Sequence, residues 1–205
     1  MPRIVLLEGI ATTGKSTVQQ LLHDSLLARG YSCYMVPEQQ ITKTFLPSAI
    51  TEVKSNAQLK RLFRTLLTRT EEFIIIDRSH FSNISYFKTD FNAFKNIDDL
   101  LSKHDARIIM MKFDAKQIVP RIRASLAHRQ GNGFVSYFHN LIKDCKSKKE
   151  EDEVLQTYFE DGIKSMSDSL KKTRLAHAIV DVTDCSAPSD YEQVIPEITS
   201  YVLSD

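Results

Sequence analysis

Cysteine is scarce: Cys33, Cys145 and Cys185 are the only three in 205 residues, widely spaced, odd in number and without a C-x-x-C pair. That pattern excludes a disulfide framework and a thiolate zinc site, and it fits a reducing compartment. Tryptophan is absent, and the six histidines show no metal-ligand spacing, so His80 and His104 are read as incidental. No window approaches the roughly 20 apolar residues that a membrane span needs. The opening run MPRIVLLEG is too short for the apolar core of a signal peptide and its cleavage site. Charge of one sign is not in excess either. Lys and Arg number 27 against 26 Asp and Glu, for a net +1, which lacks the global positive field of a nucleic-acid polymer binder. Internal repeats and Pro/Gly/Ser-rich linkers are missing as well. These absences together predict a cytoplasmic chain with no membrane and no nucleic-acid polymer as partner.

The apolar share of 42% and charged share of 26% are those of an ordinary soluble domain. A chain of this length buries a core without metals or disulfides, so residues 1–205 are read as one domain. Its periodicity switches regularly. Ile4–Leu7, Tyr31–Val36, Phe73–Ile76, Arg107–Phe113 and His177–Val182 read as strands, the continuous apolar runs among them as strands buried on both faces. Between them, helical stripes run over 15–29 (Val18, Leu21, Leu22, Leu26), over 57–70 (Leu59, Leu62, Phe63, Leu66, Leu67) and over 90–103. Further helices are expected near 115–129, 134–146, 151–174 and 191–203. Strands alternating with helices predict an α/β three-layer sandwich: a five-stranded parallel sheet with helices on both faces.

The first strand runs into Gly9-Ile10-Ala11-Thr12-Thr13-Gly14-Lys15-Ser16, a full match to G-x-x-x-x-G-K-S in the strand-to-helix context that the motif requires. Its glycines let the backbone curl so that N–H groups from Gly9 through Ala11, Thr12, Thr13 and Gly14 face phosphate oxygens. The helix that follows adds its positive end. Lys15 reaches the outer phosphates, Ser16 offers a hydroxyl to Mg²⁺, and Thr17 extends the polar lining. This predicts a P-loop NTPase fold that uses ATP and Mg²⁺. No N-K-x-D guanine signature occurs.

A second feature sits at the end of the third strand, where FIII runs into Asp77-Arg78. A carboxylate there lies at the mouth of the phosphate site and can hold Mg²⁺, while the arginine offers a fork to a phosphoryl group or to an acceptor. Taken together, EGIATTGKST and IIIDRSHFSNISY resemble the thymidylate kinase and deoxynucleoside kinase group of P-loop kinases. The resemblance implies that Asp77 and Arg78 serve Mg²⁺ and acceptor binding. Val36-Pro37-Glu38 is similar to the V-P-E segment of deoxynucleoside kinases, which makes Glu38 the base towards an acceptor hydroxyl. Thymidylate kinases carry an Arg-Glu-Pro type segment there, and an acid where this chain has Ala11. Both departures favour an uncharged alcohol over a monophosphate.

Kinases of this shape close an arginine-rich lid over the transferring group. The resemblance places that lid near 118–135, with Arg121 in a catalytic role and Arg123 and Arg129 on the nucleotide. The helix near 57–70 is implied to line the acceptor through Gln58 and Arg61, with Phe63 as core and Phe81, Tyr86 and Phe87 as further walls. The loop from Thr183 to Ala187 is implied to lie near the donor adenine. The expected partner is a small-molecule acceptor, a nucleoside or nucleotide. Relatives often pair through helices, so a homodimer is an open expectation. Two other readings stay open at this level: a kinase for another small alcohol (a sugar, a shikimate-like acid or an antibiotic), and a non-catalytic ATP-binding module.

Overall fold

The computed structural model describes residues 2–44, 50–128 and 133–204. Among them, strands β1 (Arg3–Glu8), β2 (Cys33–Val36), β3 (Phe73–Asp77), β4 (Arg107–Lys112) and β5 (Ala176–Asp181) form one all-parallel sheet in the order β2-β3-β1-β4-β5. The apolar runs explain why the central strands β3, β1 and β4 are covered on both faces, whereas the edge strand β5 is largely exposed. Along β1, Ile4 and Leu6 enter one hydrophobic cluster with Ile74, Ile76 and Ile108. Val5 and Leu7 enter the other with Ile75, Ile109 and Val180. Alternation with period two therefore feeds two cores, one per face. The five-stranded parallel sheet between helical layers is the architecture expected from the sequence.

Helix α1 (Lys15–Leu27) docks through Val18, Leu22 and Leu26, and its buried Gln19 amide donates to the carbonyls of Val36 at 2.8 Å and Ile75 at 2.9 Å. That one side chain ties the helix to the ends of β2 and β3. A short α2 (Glu38–Thr42) follows β2. Helix α3 (Glu52–Leu66), capped by Thr51, buries Leu59, Phe63 and Leu66, and so starts about a turn before the apolar stripe. Helix α4 (His80–Phe87), rich in Ser and Asn, was not expected from the sequence.

The stretch read as one helix over 90–103 divides at Phe94 into a 3-10 turn (Phe91–Ala93) and α5 (Lys95–Leu101). Two other helices also begin with 3-10 turns, at Ala115–Gln117 ahead of α6 (Ile118–His128) and at Pro188–Val194 ahead of α9 (Ile195–Leu203). Pro120 and Pro196 lie in the first turns of α6 and α9, where a missing N–H costs nothing.

Helices α7 (Gly133–Ile142) and α8 (Lys148–Leu170) complete the layers. With 23 residues, α8 crosses the molecule. Leu155 and Phe159 belong to one core, Met166 and Leu170 to the other. Between them lies Gly162, where a Cβ would meet Ser85 Oγ at 3.2 Å and Ile10 Cγ2 at 3.6 Å. The glycine thus lets α8 lie against both α4 and the loop after β1. Because β2 and β3 lie to one side of β1 and β4 and β5 to the other, the crevice opens at the carboxyl ends of β1 and β3.

Candidate active site

The loop after β1 is tightly built. At Gly9 a Cβ would lie 2.5 Å from the Met111 carbonyl oxygen of β4. Gly14 (φ +79°) caps α1, and a Cβ there would fall 2.2 Å from the ring of Tyr191. Tyr191 is buried and seals the outer side of the loop. Thr12 also adopts a left-handed backbone (φ +67°), and its buried hydroxyl has no hydrogen-bond partner. A β-branched residue in that conformation is strained by about 1 kcal/mol. Thr12→Gly is therefore expected to raise unfolding stability by about 1 kcal/mol, as read by urea denaturation. An unchanged midpoint would show that the hydroxyl or methyl contacts offset the strain.

Lys15 folds back into its own loop. Its Nζ donates to the carbonyls of Gly9 at 3.0 Å and Ile10 at 2.7 Å and to Thr13 Oγ1 at 3.2 Å, while Thr13 Oγ1 donates to the Ile10 carbonyl at 3.0 Å. Burial, with help from the Arg78 guanidinium, lowers its pKa from 10.5 to about 8, against the pull of Asp77, Glu38 and Glu8. Next to it, Ser16 Oγ donates to Asp77 Oδ2 at 2.6 Å. Asp77 is buried at the tip of β3, and its other oxygen, Oδ1, has no partner. A hydroxyl and a buried carboxylate with an unsatisfied oxygen form a donor set that fits a hard divalent cation such as Mg²⁺.

The turn after Asp77 is unusual. Arg78 takes a left-handed backbone (φ +76°), with its N–H bonded to the Leu7 carbonyl at 2.9 Å. Its Nε donates to Glu38 Oε1 at 2.6 Å. Burial pulls its pKa down, but the carboxylates of Glu38, Asp77 and Glu8 outweigh it and hold the guanidinium above its ordinary value. Residues separated by 40 positions are thus joined at one mouth: Lys15, Ser16, Asp77, Arg78 and Glu38 surround the crevice. Beneath them the buried carboxylate of Glu8 accepts hydrogen bonds from the amides and hydroxyls of Ser79 and Ser82.

With this geometry, comparison with known proteins is informative. No family model and no curated protein matches the sequence. Solved structures do match. YorR from Bacillus subtilis, in complex with phosphorylated GDP, is 17% identical with a TM-score of 0.58, covering 96% of this chain and 95% of that one. Deoxyadenosine kinase from M. mycoides, with dCMP and dCDP, is 17% identical with a TM-score of 0.50 over 97% and 99% of the two chains. A sulfotransferase from Alicyclobacillus acidocaldarius is 13% identical with a TM-score of 0.54 over 100% of this chain and 82% of that one. The chain has the fold of the P-loop kinases. At these identities the likeness carries the architecture, and the chemistry must be argued from the side chains.

Within this P-loop kinase fold the arginines of 118–135 separate. Arg121 donates to the carbonyls of Val182 at 3.0 Å and Thr183 at 2.7 Å and to Gln117, with its guanidinium 4.4 Å from the Phe113 ring centroid. It therefore lies on the loop after β5, beside Tyr191. Arg123 turns to α8, bonding Asp152 at 2.7 Å and Glu151 at 2.6 Å, so its charge joins α6 to α8. Arg129 lies outside the described residues.

Gln58, Arg61 and Arg64 are exposed along α3, while Phe63 and Phe81 are core. Three tyrosines that the sequence left scattered meet across α4, α7 and α8. The Tyr86 and Tyr137 rings are 6.2 Å apart, and Tyr137 Oη donates to Tyr158 Oη at 2.9 Å. Burial raises the pKa of Tyr158, which feels the Arg78 charge in the opposite sense. Tyr86 was expected as a wall of the cleft, but neither Glu8 nor the joining of Tyr137 and Tyr158 to it was, because contacts between residues far apart in the chain leave no periodic trace. The one available signal was a charged residue at the end of an otherwise apolar strand.

Proposed function

We propose that the chain is an ATP-dependent phosphotransferase that phosphorylates a nucleoside, at a hydroxyl, or a nucleoside monophosphate, at its phosphate. One observation carries the reading: Ser16 and Asp77 meet at 2.6 Å with one buried Asp77 oxygen unused, and the next residue, Arg78, pairs with Glu38 at 2.6 Å. A metal-binding pair beside the phosphate loop, next to an arginine–carboxylate pair, assembles donor and acceptor chemistry at one mouth. Mg²⁺ held by Ser16 and Asp77 would neutralise the charge of the donor phosphates.

In this reading the loop amides and Lys15 bind the donor phosphates. Arg78 orients the acceptor, and Glu38 takes the hydroxyl proton as the oxygen attacks. Arg121, resting on Val182 and Thr183, belongs to the donor-base side of the cleft. Tyr86, Tyr137 and Tyr158 supply flat surface on the acceptor side, which suits a planar base. The activity fits a compartment that holds ATP and free nucleosides, the cytoplasm. No helix among the described residues is long and apolar enough to cross a membrane.

The test is ADP release from Mg·ATP against a panel of nucleosides and monophosphates, with a blank lacking acceptor. Stimulation by one of them supports the reading, and a flat panel with intact ATP binding overturns it in favour of another alcohol or a binding-only role. With the acceptor known, Glu38→Gln is expected to lower kcat about 100-fold or more while leaving KM for ATP nearly unchanged, as loss of a general base does. An equal rise in KM for the acceptor at full kcat would assign Glu38 to binding instead.

A further inference from the structure

We infer that Glu8 is a positioning residue that holds the Asp77-Arg78 turn in its working conformation. This inference deepens the phosphotransferase reading and rests on it. Glu8 ends β1 and has no exposed surface. A carboxylate buried so completely must be satisfied by donors, because an unpartnered buried charge costs several kcal/mol.

Its donors all come from one place. Oε1 accepts from the Ser79 amide at 2.7 Å, the Ser79 hydroxyl at 2.5 Å and the Ser82 amide at 3.4 Å, and Oε2 accepts from the Ser82 hydroxyl at 2.7 Å. Ser79 immediately precedes α4 and immediately follows Arg78.

The turn needs such a hold. Arg78 sits at φ +76°, a conformation that costs a non-glycine residue about 1–2 kcal/mol and persists only where the surroundings impose it. Two neighbouring residues of β1 impose it together. The Leu7 carbonyl takes the Arg78 N–H at 2.9 Å, and Glu8 takes the next residue. What the turn gains is direction. With Arg78 left-handed, the Asp77 carboxylate faces Ser16 and the Arg78 guanidinium faces Glu38 from consecutive positions. Glu8 makes no hydrogen bond to these groups; its charge reaches Lys15 and Arg78, and Glu8→Gln removes that charge while keeping the hold on the turn.

The experiment compares wild type, Glu8→Ala and Glu8→Gln by the ratio of ADP affinities with Mg²⁺ and with EDTA, alongside amide exchange at Ser79 and Ser82. Glutamine keeps an oxygen for Ser79 and an amide for Ser82, so it should rescue. Residues that orient a metal ligand typically change metal-linked affinity by about tenfold or more. The expected result is a folded Glu8→Ala whose Mg²⁺ linkage falls by about that factor with faster exchange at both amides, while Glu8→Gln stays close to wild type.

Should Glu8→Ala not fold, the double variant Ser79→Ala/Ser82→Ala removes the two hydroxyl donors and is expected to show the same loss. A folded Glu8→Ala, or that double variant, with the wild-type linkage overturns the inference. So does a Glu8→Gln as impaired as Glu8→Ala. If wild-type protein binds no ADP, the phosphotransferase reading fails, and the exchange rates decide alone: unchanged protection in Glu8→Ala overturns the clamp.

Discussion

Lys15 will add about 3 kcal/mol to the stability of the ligand-free protein as pH passes from about 8 to 10.5, and Lys15→Met will remove that contribution. Burial places the ammonium in a cradle made for anions, which lowers its pKa in the folded state to about 8 from 10.5. Between these values the unfolded chain holds the proton and the folded chain has released it, so stability rises with pH. The stabilisation is complete above 10.5 and is lost as pH falls through about 8. At neutral pH the protein therefore carries the full cost of a charged, buried Lys15.

Other lysines and tyrosines titrate in the same range, so the measurement is the difference between wild type and Lys15→Met in urea midpoints at each pH. A difference that does not change with pH would show that Lys15 keeps its ordinary pKa. The same variant is expected to lose nucleotide binding. In the wild type, bound phosphate favours the ammonium, so binding takes up a proton above about pH 8 and affinity declines from there.

Gly14→Ala will be strongly damaging for a change of one methyl group. Its Cβ would lie 2.2 Å from Cε1 and Cζ of Tyr191 and 2.4 Å from the hydroxyl oxygen, at a backbone φ of +79°. Left-handed strain costs about 1–2 kcal/mol and displacing a packed ring about 1–3 kcal/mol. A total near 4 kcal/mol lowers the melting midpoint of a chain this size by about 8–16 °C. Tyr191→Ala in the same chain should recover only the packing share, leaving the backbone share in place. Thermal melts of the single and double variants separate the two. Full recovery would mean that the loop can adopt another φ, and no recovery would mean that the ring was never the obstacle.

The parts of this molecule that were legible in the sequence are those fixed by neighbours along the chain. The run Ile4–Leu7, the G-x-x-x-x-G-K-S stretch and the FIII run into Asp77 each carry their own periodicity or backbone chemistry, and the five strands and the loop follow from them. Helix α4 was hidden because HFSNISYF is poor in strong helix formers; it is helical because Phe81 and Ile84 pack into the core and Glu8 satisfies its first turn. The break at Phe94 had no local marker either, since a wholly buried ring settles it.

At the site, Lys15, Ser16, Asp77, Arg78 and Glu38 do meet; the loop motif and the strand-end acid suggested the first four, and the V-P-E resemblance suggested Glu38. The fate of the lid arginines was not legible. Arg121 and Arg123 are two positions apart, so they point to different sides of α6, one to the Val182 carbonyl and the other to Asp152. Which partner waits on each side is a tertiary fact.

Helix α8 has a bearing on how the chain folds. Its first half belongs to the core beneath α1 and its second half to the core beneath α3, with Gly162 resting on the nucleotide loop between them. A helix of 23 residues, roughly 35 Å long, is stable mainly through what it packs against. Losing either core would strip half its length and expose the apolar residues of the other half. The two sides of the sheet are thereby fastened into one cooperative unit, and the nucleotide loop sits at the fastening.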